Sequence, residues 1–313
     1  MKDEKLVSVI IPTFGRPDFL LRAIESVMNQ SYKNIEILIV DDNGVGSIFQ
    51  IETINKIETI LTKDKRVRYI KHEININGSA ARNTGIKNAG GDYICFLDDD
   101  DEFDKDKILL QVQKLEQLGN NWVACYTGHK RVLENIKKVR EVFPTQEGDI
   151  LYQILMFEID HVGGSSLMIR KDVFDSGILW NEKLARHQDF DFIAKVSHYG
   201  KVAVISTPLL TVNIHGGSYR QNEFTNIEKT RIEYMKSISE CFKSLTQKQL
   251  RNVMFINYFW LFKKTIQYKE FKKMFFYLGK SSKESKTSFI IYGFKDLNAF
   301  IKKIILADKL FGG

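Results

Sequence analysis

Proline is scarce in this chain. Four in 313 residues are too few for a proline-rich linker or stalk. Cysteine is scarce too: Cys95, Cys125 and Cys241 are scattered, with no Cys-x-x-Cys spacing. That excludes a zinc or disulfide framework and suits a reducing compartment. Long apolar runs are missing. The most tempting stretch, 252–262, is 11 residues long, against the roughly 18 that a membrane-spanning helix needs. The start is charged, but the apolar run 6–11 is too short for a signal-peptide core and meets Pro12. A cytoplasmic protein is expected, or one attached to a membrane surface from that side. There is no Gly-x-Gly-x-x-Gly after the first apolar strand and no Walker A motif, which disfavours a dinucleotide-binding Rossmann unit and a P-loop.

What is present describes a globular protein with a sizeable core: 43% hydrophobic and 27% charged residues. The charge is uneven. Residues 226–313 hold 18 Lys and Arg against 7 Asp and Glu, and residues 1–225 hold 28 against 32. The basic character therefore belongs to the C-terminal part, and a basic face can meet anionic lipid, an anionic substrate or nucleic acid.

The pattern predicts strands at 6–11, 35–40, 67–71 and 92–97, separated by helices at 19–30, 47–62 and 79–88, with another helix at 104–118. Such alternation gives a mainly parallel sheet wrapped by helices. Further on, short strands are expected over 121–142, a helix at 149–157, a strand at 165–169, a helix at 188–198, strands at 202–205 and 209–214, and mostly helix over 226–303. A linker is expected at 280–288.

In a parallel sheet, ligands sit beyond the carboxyl ends of the strands, and the chemistry-bearing residues fall there. The first strand ends in Pro12, Thr13 and Phe14, with Arg16 on the turn: a hydroxyl, a ring and a cation before a helix N-terminus, workable for a base or phosphate. The second ends in Asp41 and Asp42, which can accept from a nucleobase N–H or make a simple Asx turn. After the third, Asn77 to Gly85 is rich in small residues and carries Arg82, a fixed cation suited to pyrophosphate or merely a surface arginine on a packing helix. The fourth ends in Asp98, Asp99, Asp100 and Asp101. Neighbouring carboxylates repel by about 1 kcal/mol in water and several times that in a cleft. A fold tolerates the crowding most easily if a cation sits there, and hard oxygen donors suit Mg²⁺ or Mn²⁺. A solvated acidic turn is the plain alternative.

The segments VSVIIPTFGRPDFLLRAIESVMNQSY, IEILIVDDNG, NGSAARNTGI, GDYICFLDDDDEF and RHQDFDF together resemble glycosyltransferase family 2, in order and spacing, over about the first 215 residues. The resemblance implies an α/β fold of the GT-A type, Rossmann-like and mainly parallel. It would occupy residues 1–225, with a nucleotide-binding half at 1–118 and an acceptor half at 119–225, followed by a basic helical appendage at 226–313. It implies inverting transfer of a sugar from a nucleotide donor, most commonly a UDP-sugar, to a saccharide or lipid-linked acceptor, as in bacterial cell-surface polysaccharide synthesis.

By that resemblance, Pro12, Thr13, Phe14, Arg16 and Asp41 line the nucleoside pocket, Asp98 binds ribose, and Asp100 holds Mn²⁺ or Mg²⁺ on the diphosphate, supported by Asp101. Asp99 takes the middle position of the Asp-x-Asp signature and belongs with the donor-binding residues. Asp189 matches the catalytic base, while Gln188 stands where the family commonly has Glu. His215 would reach the metal or diphosphate. Gly164, Ser165, His187 and Gln188 fall on the acceptor side. The uncharged Gln188 leaves a second reading, a non-catalytic nucleotide-sugar-binding or assembly protein.

The tail combines Phe255, Tyr258, Phe259, Phe262, Ile266 and Phe271 with Lys263, Lys264, Lys269, Lys272 and Lys273. Ile301, Ile304 and Ile305 with Lys302 and Lys303 repeat the theme. Amphipathic basic helices of this kind suit an anionic membrane leaflet, a helical cap on the sheet, or a contact between copies in a homo-oligomer. No nucleic-acid recognition motif accompanies the charge.

Overall fold

The computed structural model describes residues 4–133, 138–159, 163–214 and 223–285. The chain divides into two compact units, Met1–Ser218 and Tyr219–Gly313. In the first unit the order is β1 (Val7–Thr13), α1 (Pro17–Met28), β2 (Ile35–Asp41), α2 (Ile48–Lys63), β3 (Val67–Lys71), α3 (Gly78–Asn88), β4 (Tyr93–Phe96), β5 (Glu102–Phe103) and α4 (Lys107–Leu118). It continues through β6 (Trp122–Leu133), β7 (Lys138–Val142), α5 (Leu151–Leu155), a 3-10 turn (Gly164–Ser166), β8 (Met168–Arg170), α6 (Lys171–Asp175), α7 (Gln188–Tyr199) and β9 (Lys201–Ile214).

The strands form one sheet in the order β3-β2-β1-β4-β8-β6-β9-β5, with β7 on the side of β6. Strands β3, β2, β1 and β4 run parallel. β8 is antiparallel to both β4 and β6, so the sheet is mixed beyond β4. All seven residues of β1 are buried, as expected of a strand covered on both faces. Pro12 does not stop this strand. It pairs beside Val40, while the pairing to β4 ends at Ile10. The proline therefore lies where one side of the strand is open, and its missing N–H leaves no gap in that ladder.

The small residues of α3 have a packing reason. A Cβ on Gly85 would lie 2.3 Å from Ile10 Cγ2, so only glycine lets α3 sit this close to β1. Asn77 caps the helix, its side chain accepting from the Ala80 N–H at 3.0 Å. The two strands expected at 202–205 and 209–214 are one long strand, β9. It pairs parallel to β6 through register shifts around Thr127 and Gly128, and such irregularities keep a ladder going across a local bend. The strand expected at 165–169 begins as the 3-10 turn and becomes β8 only at Met168.

The second unit holds α8 (Phe224–Ser237), α9 (Gln247–Gln267) and α10 (Phe271–Glu284). Phe224, Leu261 and Tyr277 form its small core, and α9 starts with a capping box of Thr246 and Gln249. The linker expected at 280–288 is helical as far as Glu284; residues 286–288 lie outside the described residues, as do Ile301, Lys302, Lys303, Ile304 and Ile305.

Candidate active site

Two cavities open at the carboxyl ends of β1, β2 and β4. The first, about 140 Å³, is lined by Pro12, Thr13, Phe14, Arg16, Asp42, Gly78, Ala81, Arg82, Asp98 and Asp99. The second, about 210 Å³, is lined by Asp98, Asp101, Ser165, Asp189 and Phe190 with residues of the β6 and β9 strands. Asp98 belongs to both. Of the residues expected around a donor, the first cavity gathers all but Asp41 and Asp100. Asp189, Gly164 and Ser165 meet at the second. His215 lies outside the described residues.

Asp41 and Asp42 take different directions. Asp41 accepts from Tyr69 Oη at 2.6 Å and from the Asn43 N–H at 2.8 Å, an Asx turn beneath the cavity rather than a wall of it. Asp42 lines the cavity instead, where Asp41 was expected. Its Oδ1 meets His72 Nδ1 at 2.7 Å and accepts from the Ile76 N–H at 2.9 Å. Its Oδ2 accepts from Asn75 Nδ2 at 2.8 Å. His72 Nε2 lies 2.9 Å from Thr84 Oγ1, so Oδ1 of this buried carboxylate is held from two sides and Oδ2 from one.

Two of the protein's own arginines pair with three of the four aspartates. Arg16 pairs with Asp99 at 2.6 Å and also with Asp100. Arg82, on α3, pairs with Asp98, and its guanidinium lies 4.7 Å from the Trp180 ring centre. The crowding therefore does not by itself require a metal. Asp99 is tied back to β1, accepting from Thr13 Oγ1 at 2.8 Å. Burial pushes its pKa up to about 7, against the pull of Arg16 and Thr13. Burial, with Asp98 adding repulsion, pushes Asp101 up to about 8, and Ser165 opposes the shift by hydrogen bonding.

These residues fit a divalent ion by the chemistry of the donor set. Asp98, Asp100 and Asp101 offer hard carboxylate oxygens at one strand end. Among the described residues, no three His, Cys, Asp or Glu side chains converge to hold an ion unaided.

Asp189 sits in the first turn of α7. Its Oδ1 accepts from the Gly164 N–H at 2.9 Å. The residue is exposed towards the cavity; desolvation by the surrounding protein raises its pKa, Arg82 lowers it and Asp98 raises it again. Gln188 does not line the cavity: its Nε2 donates to the Leu184 carbonyl at 2.6 Å. His187 precedes α7 in a left-handed conformation, φ 63°. Asp191 is buried, with Lys195 at 2.7 Å.

Sequence reasoning missed His129 and Arg131, which reach the second cavity from β6. Their signal was the two-residue spacing that puts them on one face of a strand. Phe190 and Trp180 were missed too; Trp180 stacks on Phe192 with ring centres 4.2 Å apart.

A parallel half with an acidic strand end, continued by a mixed sheet and flanked by helices, is the fold of a GT-A glycosyltransferase. Residues 8–177 match the model of Glycosyl transferase family 2, and the chain belongs to that family. It is 35% identical over 216 residues to an uncharacterized glycosyltransferase of Rickettsia felis, covering 68% of this chain but 33% of that one. The chain thus spans about a third of that relative's length. It is 27% identical over 248 residues to the amylovoran biosynthesis glycosyltransferase AmsB of Erwinia amylovora, covering 75% of this chain and 79% of AmsB. The crystal structure of S. aureus TarS 1–349 in complex with UDP-GlcNAc superposes with a TM-score of 0.56 at 16% identity, covering 80% of each chain. At that identity the likeness concerns the fold.

Proposed function

We propose that the chain is an inverting, metal-dependent glycosyltransferase. It moves a sugar from a nucleoside diphosphate sugar, a UDP-sugar by family habit, to a hydroxyl of a saccharide or lipid-linked acceptor in cell-surface polysaccharide synthesis. One observation carries the reading: Asp98 is shared by two cavities, one walled by Thr13, Phe14, Arg16, Asp42 and Arg82 and the other by Asp189. That suits a donor whose nucleoside lies in the first cavity and whose anomeric carbon faces the second.

In this reading Asp42, rather than Asp41, accepts from the nucleobase, Phe14 packs against it, and Asp98 takes the ribose. Arg16 and Arg82 exchange carboxylate partners for diphosphate oxygens as the donor enters. Mn²⁺ or Mg²⁺ held by Asp100, with Asp101 behind it, would neutralise charge on the departing diphosphate. Asp189 accepts the proton of the acceptor hydroxyl as that oxygen attacks from the face opposite the diphosphate. Its raised pKa brings it nearer the range of an effective base. The Gly164 N–H donates to Asp189 Oδ1 and so orients the carboxylate.

Isothermal titration with UDP and Mn²⁺, followed by a donor-turnover assay, tests the proposal. Binding without turnover would favour the assembly-protein reading. Absence of UDP binding would remove both.

Association with an anionic membrane surface through α10 completes the reading. No helix among the described residues is long and apolar enough to cross a membrane. One face of α10 exposes Phe271, Phe275 and Phe276 together with Lys272 and Lys280, the make-up of an interfacial helix. Similarity to an amylovoran biosynthesis glycosyltransferase supports a polysaccharide product.

A further inference from the structure

The residue after Asp189 has no part in the donor chemistry, and its setting is unusual. Phe190 lines the same cavity as Asp189 and remains half-exposed. The next aromatic on α7, Phe192, is instead fully buried between Trp180 and Phe174. Phe157 lies 4.9 Å from Phe190 between ring centres, at an interplanar angle of 67°. His187 lies 6.4 Å away at 56°. Neither ring is stacked parallel to Phe190.

Backbone strain gathers at the same place. Among the described residues, the non-glycine residues with positive φ are Phe157 (57°), His187 (63°) and Lys269 (60°). Two of these are the neighbours of Phe190. A bulky aromatic in the left-handed region is held there only by its surroundings, and such outliers cluster at binding sites.

We propose that Phe190 is the platform on which a pyranose ring of the acceptor lies. The inference rests on the glycosyl-transfer reading above and names the acceptor as a pyranoside. The ring's C–H face packs on the phenyl face, as apolar surface packs on an aromatic. One of its hydroxyls then points at Asp189, the adjacent residue on the cavity wall. His129 and Arg131, across the cavity on β6, face the remaining hydroxyls. The left-handed turns at Phe157 and His187 set the two flanking rings at an angle and so hold Phe190 in place.

Saturation-transfer NMR on the full chain, with UDP and Mn²⁺ present, tests this. The probes are the methyl α- and β-pyranosides of glucose, galactose, mannose and N-acetylglucosamine. At least one should take up saturation, concentrated on the C–H protons of one ring face. Phe190→Ala and Phe190→Leu should weaken that probe about tenfold, the size of one good aromatic contact. Phe190→Tyr should retain it, and UDP affinity should stay unchanged in all three. Phe190→Leu keeps the bulk and Phe190→Tyr the ring, so the comparison survives if the alanine variant folds poorly. UDP binding with no pyranoside saturated, or an affinity indifferent to loss of the ring, overturns the platform and leaves the transferase reading standing. Failure of the wild-type chain to bind UDP overturns the transferase reading, and the platform with it.

Discussion

The backbone N–H of Gly164 donates to Asp189 Oδ1 at 2.9 Å. The bond joins the turn before β8 to the start of α7. A base positioned by a backbone donor keeps its orientation through a conservative side-chain change.

Asp189→Asn should therefore bind UDP with wild-type affinity and lose turnover by about 10²–10⁴-fold, the range of general-base assistance. Titration calorimetry and initial rates check the two halves separately. A near-normal rate would place the base elsewhere.

Gly164→Ala tests the positioning. Its Cβ would meet Trp180 Cη2 at 3.1 Å and Asp189 Oδ1 at 3.4 Å. Trp180 is stacked on Phe192 and yields little, so the strain falls on the turn and on Asp189. The expected result is a loss of about 1–3 kcal/mol in stability, typical of overpacking, with a lower kcat and little change in UDP affinity. Thermal melts and steady-state kinetics read both.

The pH profile follows from the raised pKa of Asp189. A carboxylate works as a base only when ionised, so activity should fall as pH drops through a value above the usual carboxylate range. Arg82 opposes that shift. Arg82→Gln should move the acid limb of kcat to higher pH, and weaken UDP binding as well. An acid limb that stays in place would detach Asp189 from Arg82.

Chelation should abolish transfer, and Mn²⁺ or Mg²⁺ should restore it. Full activity in EDTA would mean that Arg16 and Arg82 handle the diphosphate without an ion.

For α10, flotation with vesicles should increase with anionic lipid and fall when Phe271, Phe275 and Phe276 are replaced by serine. Flotation indifferent to both would remove the membrane contact. A change in oligomeric state of the serine variant, seen by light scattering, would assign the face to a contact between copies.

Much of the first unit was legible in the chain. The buried strand at 35–40, the helix after Asn77 and the helix starting at Gln188 each follow from local periodicity and capping, which need no knowledge of distant residues. The paired region of β6 and β7 was visible as short strands over 121–142. The fusion of two expected strands into β9 was not, because the register shifts against β6 carry the ladder across a segment that reads as a break.

The amino-acid order alone determined that acidic, basic and hydroxyl groups fall at the ends of successive parallel strands, because alternating apolar runs specify where each strand stops. Only the tertiary structure decided which of them share a cavity. At a strand end, adjacent side chains point to opposite sides, so a single residue of parity separates Asp42 at the cavity wall from Asp41 bonded to Tyr69. Likewise, repulsion within the aspartate run is local and readable. Its partial compensation by Arg16 and Arg82 depends on packing that brings α3 and the β1 loop onto β4, which no short stretch of sequence contains.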